Sequence, residues 1–199
     1  VSEDAVSAYD ERAGEYAQAL GSMSATASAD RARVEEWAES SSGPLLDLGC
    51  GPGQWTAHLA GRGHDVLGID PSHAFVRIAR ETHPGVRYLE GGLEDLVTVS
   101  GRYGGILAWY SLIHLPPVEL RPALEILHEA LAPDGQLLLG FFDGPELAPF
   151  DHAVATAWRW PVQAVTELAG ECGFEVTDAT GRTDPGSRPH GDVSARRRA

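Results

Sequence analysis

Cysteine is nearly missing from this chain of 199 residues: Cys50 and Cys172 are the only two, and they form no CxxC pair. Two separated thiols cannot build a disulfide framework, so a small fold held together by disulfides is excluded and a cytoplasmic setting is expected. Long apolar runs are missing too, and no stretch reaches the length that crosses a bilayer. The opening, VSEDAVSAYDERAGEY, is acidic and polar and does not read as a secretory signal. Positive charge is scarce: 15 Lys and Arg stand against 29 Asp and Glu, for a net charge of −14. Such a surface repels polyanions, so neither nucleic acid nor an anionic membrane is an expected partner. The one basic cluster, Arg196 to Arg198, reads as a solvated terminal strand. The eight histidines are scattered and form no His-x-x-x-His set, so no metal is expected.

What remains is an ordinary globular composition, 43% hydrophobic and 22% charged. The length fits one domain with a real core. Ser2–Leu20 has helical spacing, with Val6, Tyr9, Ala13 and Tyr16 on one stripe. A Ser/Ala/Gly stretch over Gly21–Asp30 reads as a mobile connection to a second helix, Ala32–Ser40. From Pro44 the chain alternates. Strands are predicted at Leu45–Leu48, Asp65–Ile69, Val86–Glu90, Gly104–Tyr110, Gln136–Phe142, Phe174–Ala179 and His190–Arg197. Helices are predicted at Gln54–Arg62, Ser72–Thr82 with Ser72 as its cap, Val118–Leu131 and Val162–Cys172, with a brief one at Leu93–Val97. Strand–helix alternation means an α/β domain around a mostly parallel sheet, whose ligands sit at the carboxyl ends of the strands.

The first strand ends in glycines: Asp47-Leu48-Gly49-Cys50-Gly51-Pro52-Gly53-Gln54. A glycine loop between strand and helix is a platform for a ligand. A dinucleotide loop, G-x-G-x-x-G, needs its third glycine one residue later, where Gln54 stands. No Gly-Lys-Ser/Thr follows, so a triphosphate cradle is unsupported. Asp47 beside the loop repels pyrophosphate and welcomes an ammonium or sulfonium. About twenty residues further on, Asp70 in Gly68-Ile69-Asp70-Pro71-Ser72 closes the second strand, placed to accept from ribose hydroxyls. The site asks for a ribose and a cation, without phosphates.

Asp47-Leu48-Gly49-Cys50-Gly51-Pro52-Gly53 with Gly68-Ile69-Asp70-Pro71-Ser72 resembles the class I S-adenosylmethionine-dependent methyltransferases, over roughly Ala5 to Arg197. The resemblance implies a Rossmann-like α/β fold: a mostly parallel seven-stranded sheet with helices on both faces. Residues 1–43 would form an N-terminal helical lid and 44–199 the core. It implies S-adenosyl-L-methionine as cofactor, with Gly49, Cys50, Gly51 and Gly53 beneath the methionine part. Asp47 would hold its amino group, Asp70 would clamp the ribose, and Pro71 would lie along the adenine. The family's G-D-A-E-D-L reads Gly91-Gly92-Leu93-Glu94-Asp95-Leu96 here. Gly92 thus replaces the usual carboxylate, the Leu93 amide still faces adenine, and Glu94 or Asp95 either substitutes or starts the helix. Tyr16 or Arg12 of the lid would reach the methionine carboxylate.

The acceptor side begins at the fourth strand's end, Trp109-Tyr110-Ser111-Leu112-Ile113-His114. It carries neither Asn/Asp-Pro-Pro-Tyr nor a carboxylate, so base methylation and metal-dependent catechol methylation are disfavoured, and it resembles the small-molecule subgroup. His114 is either a catalytic general base or a structural residue. Trp109 and Tyr110 offer ring faces to a sulfonium. Tyr110, Ser111, Phe142, His152, Arg159 and Trp160 are candidate contacts to the acceptor. The function expected is metal-independent methyl transfer to O or N of a small apolar or aromatic molecule, by a monomer or homodimer. Two alternatives stay open: another transferase on this fold, and a cofactor-binding regulator without catalysis.

Overall fold

A computed structural model describes residues 3–98 and 101–198. Its strands form because their apolar residues have two faces to cover. In β1 (Leu45–Leu48) all four residues are buried, the mark of a strand with helices on both sides. Leu46 joins Ile106, Leu137 and Leu139 on one face, whereas Leu45 joins Leu107 and Leu138 on the other, because successive strand residues alternate. Helices α5 (Pro117–Ala130) and α6 (Val162–Glu171) cover the first face through Leu124, Leu127 and Val165. Helices α2 (Ser28–Ser40) and α3 (Gln54–Gly61) cover the second through Val34, Trp37, Trp55 and Leu59. Helix α4 (His73–Thr82) packs Val76 and Ala79 on Cys50 and Tyr88. Ser72 caps α4 by accepting from the Phe75 amide at 3.1 Å, as the sequence predicts.

Strands β3 (Arg87–Glu90), β2 (Val66–Asp70), β1, β4 (Tyr103–Trp109) and β5 (Leu131–Asp143) lie side by side and parallel. The chain runs outward from β1 to β3, then returns to the other side of β1 with β4. This reversal opens a crevice above the carboxyl ends of β1 and β4. Antiparallel β9 (His190–Arg197) follows β5, and β8 (Phe174–Arg182) follows β9. Helix α1 (Glu3–Leu20) crosses the crevice and packs on α4; Ser2, expected to begin it, lies outside the described residues. Among the described residues no helix is long and apolar enough to cross a membrane.

Among the described residues the sheet has nine strands, not the expected seven. The additional pair is a hairpin, β6 (Ala148–Asp151) and β7 (Thr156–Trp160), in a stretch expected to be loop. β7 pairs with Phe142 and Asp143, beyond Gly140, where the pairing of β4 with β5 ends. The hairpin therefore exists because β5 overhangs its neighbour, a fact of tertiary structure that four or five residues with a proline do not announce. β5 also begins earlier than predicted: Leu131 already pairs with Tyr103, and the register shifts before Gln136 meets Gly105. The Ser/Ala/Gly stretch holds a short 3-10 turn, Met23–Ala25, and the first turn of α2. In the basic cluster, Arg196 pairs with Glu175 at 2.6 Å and Arg197 donates to the carbonyls of Glu129 and Leu131.

Candidate active site

The loop after β1 turns through Gly49, Gly51 and Gly53, at φ +70°, +54° and +88°. Left-handed backbone of this kind costs a residue with a side chain about 1–2 kcal/mol. The surroundings separate the three. A Cβ on Gly49 would lie 2.4 Å from the Ser111 Cβ, and one on Gly53 would lie 2.7 Å from the Tyr88 hydroxyl. Those two glycines let the protein pack against itself. A Cβ on Gly51 would meet nothing within 4 Å. The middle glycine leaves bare backbone facing open space.

Two buried carboxylates flank that space. The Gly51 amide donates to Asp70 Oδ2 at 2.8 Å and the Ser72 amide to Oδ1 at 2.9 Å. Burial pushes the Asp70 carboxyl up to about 6, and these two amides hold it from going further. Thr56 Oγ1 donates to Asp47 Oδ2 at 2.6 Å. Burial pushes Asp47 up to about 7, against the pull of that hydroxyl, and the nearby Asp70 adds to the rise. The Cys50 thiol turns away into the packing against Val76, Ala79 and Tyr88, while the Cys50 amide donates to the Ile69 carbonyl at 3.0 Å.

Three adjoining cavities fill the crevice, and Gly49 lines all of them. The first, about 330 Å³, lies among Leu48, Pro71, Gly92, Leu93, Glu94 and Asp10. The second, about 100 Å³, lies among Asp70, Phe75, Tyr9, Tyr16, Trp109 and His114. The third, about 380 Å³, runs from Asp47, Gly51 and Gln54 out to Tyr110, Phe142, His152 and His190. The chain contains no lysine, and no arginine lines any of the three cavities. The described walls are acidic and aromatic. Asp95 and Glu94 part company here: the Gly92 amide donates to Asp95 Oδ2 at 2.8 Å, a helix-start bond, whereas Glu94 faces the first cavity. A side chain on Gly92 would come within 2.8 Å of the Glu94 carboxylate. Glu94 thus occupies the space that the missing residue leaves.

Helix α1 roofs the crevice and is fastened on both sides. Asp10 accepts from the Ser72 hydroxyl and, at 3.1 Å, from the Ala74 amide. Arg12 donates to the Ala153 carbonyl in the β6–β7 turn, so it does not enter the crevice. The Tyr9 hydroxyl lies 2.8 Å from His114 Nε2, and His114 Nδ1 lies 2.8 Å from the Thr156 carbonyl. A carbonyl only accepts, so Nδ1 carries the hydrogen and Nε2 accepts from Tyr9. Burial lowers the His114 pKa, which keeps the ring neutral. His152, with its ring 5.2 Å from that of His114, is pushed down to about 4 by burial and then by His114, and its buried Nδ1 has no partner among the described residues. Tyr110 sits at φ +60°, a strained backbone for a bulky residue, and its hydroxyl bonds His190 Nδ1.

Of the residues singled out in the sequence, Asp47, Gly49, Cys50, Gly51, Asp70, Pro71, Leu93, Glu94, Trp109 and Tyr16 line the crevice. So do Tyr110, Ser111, His114, Phe142 and His152. Three do not. Gly53 is a packing position. Arg159 lies with its guanidinium 5.4 Å over the Phe150 ring. Trp160 faces a separate small gap beside Leu139 and Val165. Arg159 and Trp160, expected to touch an acceptor, line none of the three cavities. Tyr9, Asp10, Gln54 and His190 are site residues that sequence reasoning did not assign. The Tyr9-Asp10 pair carried a signal in its resemblance to a lid, whereas His190 carried none. Among the described residues no cluster of three or more His, Cys, Asp or Glu could hold a metal.

Residues 45–135 match the family model of a methyltransferase domain. An uncharacterized methyltransferase of Synechocystis is 30% identical over 152 residues, 72% of each chain. One of Oceanobacillus iheyensis is 33% identical over 107 residues, 54% of this chain and 50% of that protein, so the chain spans about half the length of that relative. Among solved structures, the 1,6-didemethyltoxoflavin-N1-methyltransferase of Burkholderia thailandensis, with bound 1,6-didemethyltoxoflavin and S-adenosylhomocysteine, superposes with a TM-score of 0.72. It is 18% identical and the match covers 100% of this chain and 92% of that one, a likeness of fold.

Proposed function

The chain belongs to the class I S-adenosylmethionine-dependent methyltransferases, and from that premise we propose that it transfers a methyl group to an oxygen or nitrogen of a small aromatic acceptor, without a metal. One observation carries the reading. Bare backbone at Gly51 opens between two buried carboxylates, in a crevice whose described walls hold no lysine or arginine. Such walls suit a ligand with an ammonium, a sulfonium and ribose hydroxyls, and they repel pyrophosphate. The crevice fits S-adenosylmethionine. Asp70, its two amide bonds made, keeps lone pairs for the ribose hydroxyls. Asp47 meets the ammonium, and Gly49, Cys50 and Gly51 form the floor. Pro71, Leu93 and Glu94 take the adenine, with the Glu94 carboxylate standing in for the one Gly92 lacks. Tyr16 and Trp109 bring aromatic rings to the cation.

When bound, S-adenosylmethionine supplies an electrophilic methyl carbon on positive sulfur. The chain's own residues orient the acceptor and exclude water. Tyr110, Ser111, Phe142 and His152 line the acceptor's lobe, and the unpartnered His152 Nδ1 can accept a hydrogen bond from the acceptor. His114 is the residue we assign to proton transfer. The aromatic lobe supports a planar aromatic acceptor. Helix α1, clasped by Ser72, His114 and Ala153, serves as a lid.

Titration calorimetry tests the cofactor assignment. S-adenosylmethionine and S-adenosylhomocysteine are expected to bind in the micromolar range and NAD not at all. Binding of NAD in place of both would refute the reading.

A further inference from the structure

We infer that Tyr9 and His114 form a two-residue proton acceptor, split between lid and core, that takes the proton of a neutral hydroxyarene as its oxygen is methylated. This rests on the methyl-transfer reading of the crevice and names the acceptor class. The geometry starts at Thr156, whose carbonyl holds the Nδ1 hydrogen of His114 at 2.8 Å. That bond leaves Nε2 as the basic nitrogen, 2.8 Å from the Tyr9 hydroxyl. His114 lines only the second cavity, beside Asp70, whereas Tyr9 lines both the second and the third. The Tyr9 hydroxyl is therefore the group that reaches from the basic nitrogen to where an acceptor meets the cofactor.

Charge decides the acceptor's protonation state. Asp30 and Asp184 line the outer part of the third cavity. Arg182, the cation paired with these two acids, is engaged by both, at 2.6 and 2.8 Å. An acceptor arriving as an oxyanion or carboxylate is repelled by these two acids and enters less readily than a neutral one. A neutral hydroxyarene fits, but its hydroxyl is a poor nucleophile, and its proton must leave as the new bond forms. In the step proposed, the acceptor oxygen bonds the methyl carbon as the carbon–sulfur bond breaks. The acceptor's proton passes to the Tyr9 oxygen as the Tyr9 proton passes to His114 Nε2. The products are a methyl ether, a neutral thioether and an imidazolium, which returns its proton to solvent.

The groups facing the pair agree with this direction. Tyr16 and Asp70 face Tyr9, and with burial they raise its pKa, so no tyrosinate accumulates and both protons move together. His152 faces His114, and Arg12 and Arg188 act on His152. His114 itself is kept neutral by burial.

Tyr9→Phe keeps the ring that packs on Tyr16 and Phe75 and removes only the hydroxyl. Two measurements test the pair: the 15N resonances of His114 in the S-adenosylhomocysteine complex, and methylation rates for phenol and for 4-nitrophenol above its pKa. In Tyr9→Phe the Nε2 resonance is expected to move. The phenol rate is expected to fall about a hundredfold more than the 4-nitrophenolate rate, since only the former needs a proton acceptor. Equal losses on the two phenols would overturn the inference. So would a His114 resonance indifferent to Tyr9, or a wild-type protein that binds S-adenosylhomocysteine yet methylates neither phenol. Failure to bind S-adenosylhomocysteine would remove the cofactor reading itself.

Discussion

The sharpest distinction in the glycine loop is between Gly49 and Gly51, and alanine at each position tests it. Both have left-handed backbone, at φ +70° and +54°, so each substitution costs about 1–2 kcal/mol in conformation alone. At Gly49 the new Cβ also falls 2.4 Å from the Ser111 Cβ, and overpacking of that kind adds about 1–3 kcal/mol. Gly49→Ala is thus expected to lose about 2–5 kcal/mol of stability. At Gly51 the Cβ meets nothing within 4 Å, so Gly51→Ala keeps to the conformational cost, a fall in Tm of about 2–8 °C. Its methyl group nevertheless stands on the floor of the crevice, where a bound nucleoside needs to touch peptide. Affinity for S-adenosylhomocysteine is expected to drop more than about tenfold, or 1.4 kcal/mol. Thermal unfolding and titration calorimetry on the two variants decide the matter. A Gly51→Ala protein that binds with wild-type affinity would refute the argument that bare backbone there serves a ligand. Equal stability of the two variants would refute the packing argument at Gly49.

The buried acids give a pH signature. Asp47 titrates near 7 when folded, above its ordinary 3.8, so its contribution to stability is full below 3.8 and is lost as pH rises through about 7. Urea midpoints should therefore fall between about pH 4 and pH 7, and Asp47→Asn should flatten that slope; an unchanged slope would show the acid to be ionised throughout. Glu94→Ala should weaken S-adenosylhomocysteine binding by about 1.5–3 kcal/mol, the worth of a hydrogen bond to a charged group, whereas Asp95→Ala should act on the helix start and leave affinity within threefold in the same titration. Ser72→Ala removes both the α4 cap and the tie to Asp10. It should cost about 1 kcal/mol in thermal unfolding and speed proteolysis within α1.

Local physics made much of this protein legible before any coordinates. The glycine loop and Asp70 stand where the sequence places them, because a loop's backbone conformation and a position at a strand's end are local properties. Ser72 declares itself as a cap for the same reason. What stayed hidden depends on distant encounters. Tyr9 meets His114 across 105 residues, and Tyr110 meets His190 across 80. Neither pair has a spacing that a sequence can display. Glu94 and Asp95 look equivalent side by side, and only the fold separates the one facing the crevice from the one bonding an amide. Arg159 and Trp160 read as acceptor contacts because they are cationic and aromatic, but their positions over Phe150 and beside Val165 depend on the unforeseen strand β7. Pairing with an overhanging β5 is also why two strands went uncounted.

That overhang divides the labour of the molecule. The β6–β7 hairpin, with His152 in its turn, joins the sheet through Phe142 and Asp143, while Gly51 and Asp70 belong to the loop after β1 and the end of β2. Substitutions at the hairpin's tip would reshape the outer wall around His152 and leave the backbone at Gly51 and the carboxylate of Asp70 where they stand.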